Sequence, residues 1–243
     1  MDPTLTVLLY SSIAAGAAGL GAVPLALRRR LPAAGIGWAN ALAAGVMLGA
    51  AYTLIVTGLD RAPPQGAIGA VLGVAWVFFT HAASRTEDLD LNRLQETSAT
   101  YGYQLLLVNM LHAASEGVAI GAAMAVSRSF GVFLALAIAV HNVAEATVFS
   151  AILVGRSLRP RDAAGLSVTA NVNQVLLAIV TFALVGALPS LLPWALGFAA
   201  GALIYLVLAE LLPECYRQTG RISVALVTIL AMGMVVLLNG GAR

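Results

Sequence analysis

The chain contains no lysine, one cysteine and only three histidines in 243 residues. Charged residues make up 10% and aromatics 7%. Each scarcity excludes something. Without lysine no Schiff base can form on a side chain, which closes retinal-type chemistry. With Cys215 alone there is no disulfide framework and no cysteine-based metal site. Soluble domains carry roughly 25% charged residues, so this 60% hydrophobic chain, with a mean hydropathy of +0.92, reads as a polytopic membrane protein. The net charge of +2 and pI near 9.0 do not indicate nucleic-acid binding, because the arginines sit in short connections between apolar runs. Met1-Asp2-Pro3-Thr4 lacks the positive start of a signal peptide, so the first apolar run is expected to be a retained helix.

Runs long enough to span a bilayer fall at 5–27, 34–57, 64–83, 103–126, 130–154, 163–188, 191–212 and 220–240. The expected fold is an all-α bundle of eight transmembrane helices forming one domain over 1–243. Pro189 and Pro193 mark the boundary between runs six and seven, where a single long broken helix is the alternative count. Arginines set the orientation. Arg28, Arg29, Arg30, Arg85, Arg93, Arg156, Arg159, Arg161, Arg217 and Arg221 follow odd-numbered runs, against Arg61, Arg128 and Arg243 on the other side. Ten against three places both termini outside the cytoplasm of a cell (inner) membrane. The mixed-charge stretch 84–102 is expected to be a cytoplasmic linker. It has no histidine tract and so little to sense metal with.

Against this apolar background, two segments stand out: Leu111-His112-Ala113-Ala114-Ser115-Glu116-Gly117 and Val140-His141-Asn142-Val143-Ala144-Glu145-Ala146. A spacing of four puts imidazole and carboxylate on one helix face, a turn apart. An ionised group at a helix centre costs roughly 2.5–3.5 kcal/mol on insertion scales, so two such pairs require a reason. Helices four and five run antiparallel, which brings both motifs to similar depth. Two imidazoles and two carboxylates converging there suit a divalent first-row ion, whose charge neutralises the carboxylates. The plain alternative is a pair of private hydrogen bonds that cement two helices.

A weaker repeat accompanies them. Trp38-Ala39-x-x-x-Ala43-Ala44-Gly45 in run two matches Trp194-Ala195-x-x-x-Ala199-Ala200-Gly201 in run seven. These runs point in opposite directions, so the repeat is inverted, a pattern of transporters with a midplane site. Small residues at this spacing also suit a helix-packing face.

The two motifs, together with Gly197-Phe198-Ala199-Ala200-Gly201 through Glu210-Leu211-Leu212-Pro213-Glu214, resemble the Zrt/Irt-like (ZIP) family of divalent metal transporters. The resemblance implies eight helices with both termini outside, and a bundle of helices one, four, five and six that slides against two, three, seven and eight. It assigns His112, Glu116, His141 and Glu145 to the primary transport site, and Met47 to a thioether position found in some bacterial members. Family patterns read His-Asn-x-Pro-Glu-Gly on helix four and His-x-x-Pro-Glu-Gly on helix five. Here Ser115 and Ala144 replace the prolines, and Ala113 replaces an asparagine of the second metal position. Asn173 aligns with a helix-six carboxylate of some members, so Asn142 and Asn173 with the two glutamates would form at most a weakened second site. Glu210 falls on the exit route, whereas His81 reads as interfacial. The implied function is transport of a divalent ion toward the cytoplasm, zinc first and iron, manganese or cadmium next. The lipid bilayer and the ion are its partners, and a homodimer is left open. Two other readings stand beside it: an intramembrane zinc hydrolase, for which neither HExxH nor a serine-nucleophile signature is present, and a membrane protein that binds metal without moving it.

Overall fold

The structure is a computed structural model that describes residues 2–27, 32–84, 99–155 and 157–240. The described residues form α1 (Pro3–Leu27), α2 (Ala33–Arg61), α3 (Pro63–Ser84), α4 (Ala99–Val126), α5 (Arg128–Gly155), α6 (Pro160–Ala187), α7 (Pro189–Thr219) and α8 (Arg221–Gly240). All except α4 are continuous apolar runs long enough to cross a membrane, and α4 is itself 28 residues long. Most of the linker 84–102, and Arg28, Arg29, Arg30, Arg85, Arg93, Arg156 and Arg243, lie outside the described residues.

Local sequence sets the helix ends and breaks. Asp2 caps α1 by accepting from the Thr4 and Leu5 amides at 2.8 and 3.1 Å, with Pro3 at the first helical position where no N–H is needed. Helices six and seven are separate, because Leu188 leaves helical dihedrals (φ −133°, ψ 81°) before Pro189 restarts the chain. Without the motif prolines, α4 and α5 run unbroken for 28 residues each. Ser115 bonds back to the His112 carbonyl at 2.8 Å. Three helices are interrupted: α1 by a 3-10 stretch at Ala18–Ala22, α6 at Asn171 and α7 by a π-turn at Val207–Leu211. The π-turn has a cause: Pro213 cannot donate to the Ala209 carbonyl, and its ring displaces it. Glu210 sits in that turn.

Packing follows the small residues. α3 lies along α7, α4 along α6, and α8 along α2. A Cβ on Gly201 would fall 2.0 Å from the Ala70 carbonyl oxygen of α3, and one on Gly45 2.4 Å from the Thr228 carbonyl oxygen of α8. The two glycines that match in the repeat therefore make equivalent contacts: α2 approaches α8 as α7 approaches α3. The repeat is a packing device with inverted symmetry. The contacts group α1, α4, α5 and α6 together, and α2, α3, α7 and α8 together, with the groups meeting along α2–α5 and α4–α7.

Candidate metal centre

One residue, Ser127, joins α4 to α5, so the helices fold back as antiparallel neighbours. His112 lies fifteen residues before Ser127 and His141 fourteen after it. At 1.5 Å per residue, both imidazoles stand at about the same depth.

The pairing crosses between the helices. His112 Nδ1 lies 3.2 Å from Glu145 Oε1, and His141 Nε2 lies 3.1 Å from Glu116 Oε1 and 3.3 Å from Glu145 Oε2. Among the described residues His112 makes no ion pair with Glu116, its partner by sequence spacing. Its second ring nitrogen turns the other way: Nε2 is 3.2 Å from Glu210 Oε2 in the π-turn of α7. Glu210 Oε1 in turn lies 3.0 Å from His81 Nε2 on α3. Six side chains thus alternate in one line: Glu116, His141, Glu145, His112, Glu210, His81.

Within this line, two groups of three hold their ligand atoms within 4.8 Å of one another: Glu116, His141 and Glu145, and His81, His112 and Glu210. Ligands at about 2.0–2.1 Å from a tetrahedral zinc stand roughly 3.3 Å apart. The observed 3.1 and 3.3 Å around His141 match that spacing. Glu116 and His141 are each only 1% exposed. Both Glu116 oxygens, His112 Nε2 and Glu210 Oε1 are buried without a well-directed hydrogen bond among the described residues. Acceptors and nitrogens that face one another without a directed proton suit a cation between them.

The remaining expected residues separate clearly. Asn142 lies behind His141, and its amide donates to Gln174 Oε1 and to the Ala14 carbonyl, both at 2.9 Å. Its neighbour on α6 is therefore Gln174, whereas Asn173 turns to the Met110 carbonyl of α4. Of the two asparagines suggested for a weakened second site, one thus pairs with a neutral amide and the other with a backbone carbonyl. Met47 is buried in the main apolar core beside Ala44, Ala50 and Ala51. Glu214 is engaged by Arg217 and Gln218 at the end of α7, and Cys215 packs with Ala41 and Val224.

His81 extends the sequence reading. Beyond its expected place near the interface, it is buried among protein side chains and completes the second group of three. Its signal was available, since any histidine late in an apolar run raises the same question as His112. Asn109 was missed altogether: it is buried on α4 and donates to Glu145 Oε1 at 3.2 Å.

Comparison with known proteins gives the chain a family. Over 225 residues the chain is 32% identical to a candidate zinc transporter of Arabidopsis thaliana, covering 90% of this chain but 36% of that protein. Over 227 residues it is 27% identical to the zinc transporter GufA of Myxococcus xanthus, covering 86% of this chain and 88% of that one. The chain thus spans little more than a third of the plant relative and most of the bacterial one. The sequence model described as ZIP zinc transporter matches residues 80–238, which takes in His81, both His-x-x-x-Glu segments and Glu210. On that match, and with the helical bundle built around these residues, the chain belongs to the ZIP zinc transporter family.

Proposed function

We propose that the protein carries divalent transition-metal ions across a membrane, zinc foremost, with iron, manganese and cadmium as further substrates. The observation that carries this reading is the unbroken alternation of three carboxylates and three imidazoles through a protein interior, each link 3.0–3.3 Å long. A structural cement needs one directed bond per pair. This line instead offers two adjoining places for one kind of ion.

In this reading Glu116, His141 and Glu145, joined by His112, hold the ion first. The two carboxylates neutralise its charge, so loading removes most of the cost of burying them. His112 then links this station to Glu210 and His81. The ligands of the first station lie on α4 and α5, whereas His81 and Glu210 lie on α3 and α7, in the other group of helices. Movement of one group against the other changes the distance between stations and leaves the first ligand set intact. Met47, on α2, would add a soft thioether if it turned toward the ion. Asn142 and Gln174 add no charge, which favours one ion at a time in the first station. Transport toward the cytoplasm is what the family resemblance implies, the arginine distribution orients both termini outside the cytoplasm, and both stand with an inner-membrane location as part of the proposal.

Zinc, iron, manganese and cadmium competition in proteoliposomes tests it. Saturable zinc uptake that the other three ions inhibit is expected. Intact, zinc-binding protein that gives no flux for any of the four ions would reduce it to a metal-binding membrane protein. Metal-dependent cleavage of lipid or peptide without flux would favour the hydrolase.

A further inference from the structure

We propose that Asn109 is a positioning residue for Glu145, a role that rests on the transport reading above. Asn109 precedes His112 by three residues on α4, so both side chains share one face. Its amide nitrogen lies 3.2 Å from Glu145 Oε1, the same oxygen that His112 Nδ1 approaches at 3.2 Å. The amide orientation is fixed by chemistry, because turning it would set its carbonyl oxygen against a carboxylate oxygen.

The need for a second donor comes from His112. Each of its ring nitrogens already faces a carboxylate, Glu145 on one side and Glu210 on the other. When Nδ1 ligates an ion, it withdraws its hydrogen bond from Glu145 Oε1. The Asn109 amide stays, because it carries only hydrogens on that nitrogen and cannot bind metal through it. Glu145 Oε1 is thereby held outward, and Oε2 remains directed at His141 and Glu116. Asn109 thus keeps the bridging carboxylate in one orientation whether His112 serves the first station or the second.

The residue is otherwise hard to justify. It is 8% exposed, and its Oδ1 is buried with no hydrogen-bond partner among the described residues. A leucine, with the same branching and no polar atom, would avoid that cost. The unsatisfied oxygen is tolerated because the nitrogen on the same group holds Glu145.

The test compares wild type with Asn109→Leu and Asn109→Ser in zinc-uptake and equilibrium zinc-binding measurements. Leu keeps the branching and removes the donor, and Ser retains a shorter one. Loss of a hydrogen bond to a charged acceptor predicts a KM and a zinc Kd raised about tenfold in Asn109→Leu, with maximal rate within about twofold of wild type. Asn109→Ser should fall between the two. Wild-type uptake with KM unchanged in both variants overturns the role of Asn109 and leaves the transport reading standing. Equal losses of maximal rate in both variants, with KM unchanged, also overturn it, since they indicate a packing role. Wild-type protein that neither binds nor moves zinc removes the transport reading and this role with it. If Asn109→Leu fails to fold, Asn109→Ser alone decides: a KM within twofold of wild type overturns the proposal.

Discussion

His112 pairs with Glu145 of the neighbouring helix, 3.2 Å away, and not with Glu116 one turn along its own. Glu116 pairs instead with His141, at 3.1 Å. Each motif therefore completes the other, and the candidate ligand set exists only when α4 and α5 are packed together. Glu145 is the shared member, because its two oxygens reach both imidazoles.

The first prediction follows from that sharing. Glu145→Gln keeps the shape and removes the charge, so zinc affinity in detergent solution should fall by at least about 100-fold, the upper end of what loss of a supporting group costs a metal site. Glu214→Gln, whose partners are Arg217 and Gln218 away from the line, should leave zinc affinity within about twofold. Equal effects of the two substitutions would separate metal binding from this cluster.

A second prediction distinguishes the two stations. Glu210→Gln and His81→Ala leave Glu116, His141 and Glu145 in place. Zinc Kd at the first station should change by less than about fivefold, while zinc flux falls about tenfold or more, as expected when a downstream ligand is lost from a preserved site. Parallel binding and flux assays on the same preparation check this. Unchanged flux in both variants would leave the His81–Glu210 pair without a transport role.

The packing device makes its own prediction. Gly201→Ala drives a methyl group against the Ala70 carbonyl, a backbone contact that cannot swing away. It should destabilise the bundle by about 1–3 kcal/mol, the usual cost of overpacking. Gly186→Ala meets open space and should be neutral. Thermal unfolding followed by size-exclusion chromatography measures both. A Gly201→Ala protein as stable as Gly186→Ala would contradict the close approach of α3 and α7.

Gln174 carries a fourth. Gln174→Leu strips Asn142 of one of its two acceptors, which leaves only the Ala14 carbonyl and a buried amide one partner short, at a cost of about 1–3 kcal/mol. Because neither amide carries charge, zinc stoichiometry at the first station should be unchanged. A thermal shift together with a metal-to-protein ratio checks both parts, and a lost zinc equivalent would make Gln174 part of the ligand set.

Much of this molecule was legible in its sequence, and the reasons are physical. Lipid makes every buried imidazole and carboxylate costly, so His112, Glu116, His141 and Glu145 stood out against apolar helices. The inverted Trp-Ala-Ala-Gly repeat was visible because close backbone approach admits so few residue types. What escaped depended on contacts between distant segments. Spacing predicts which side chains share a helix face, but not which helix the neighbour is on, so the cross-pairing was hidden. His81 and Glu210 meet His112 only because α4 packs against α7 and a π-turn re-aims Glu210. Asn173 and Gln174 are adjacent residues about 100° apart on a helix, and the break at Asn171 resets their phase. No periodicity argument from the start of α6 could choose between them.

The central claim is that divalent metal crosses the membrane through this line of carboxylates and imidazoles. Zinc uptake into proteoliposomes carrying a trapped zinc indicator tests it most directly, with wild type set against the double variant Glu116→Gln/Glu145→Gln. The account predicts saturable zinc accumulation by wild type and background accumulation by a folded double variant. Accumulation by the folded double variant at the wild-type rate would contradict it.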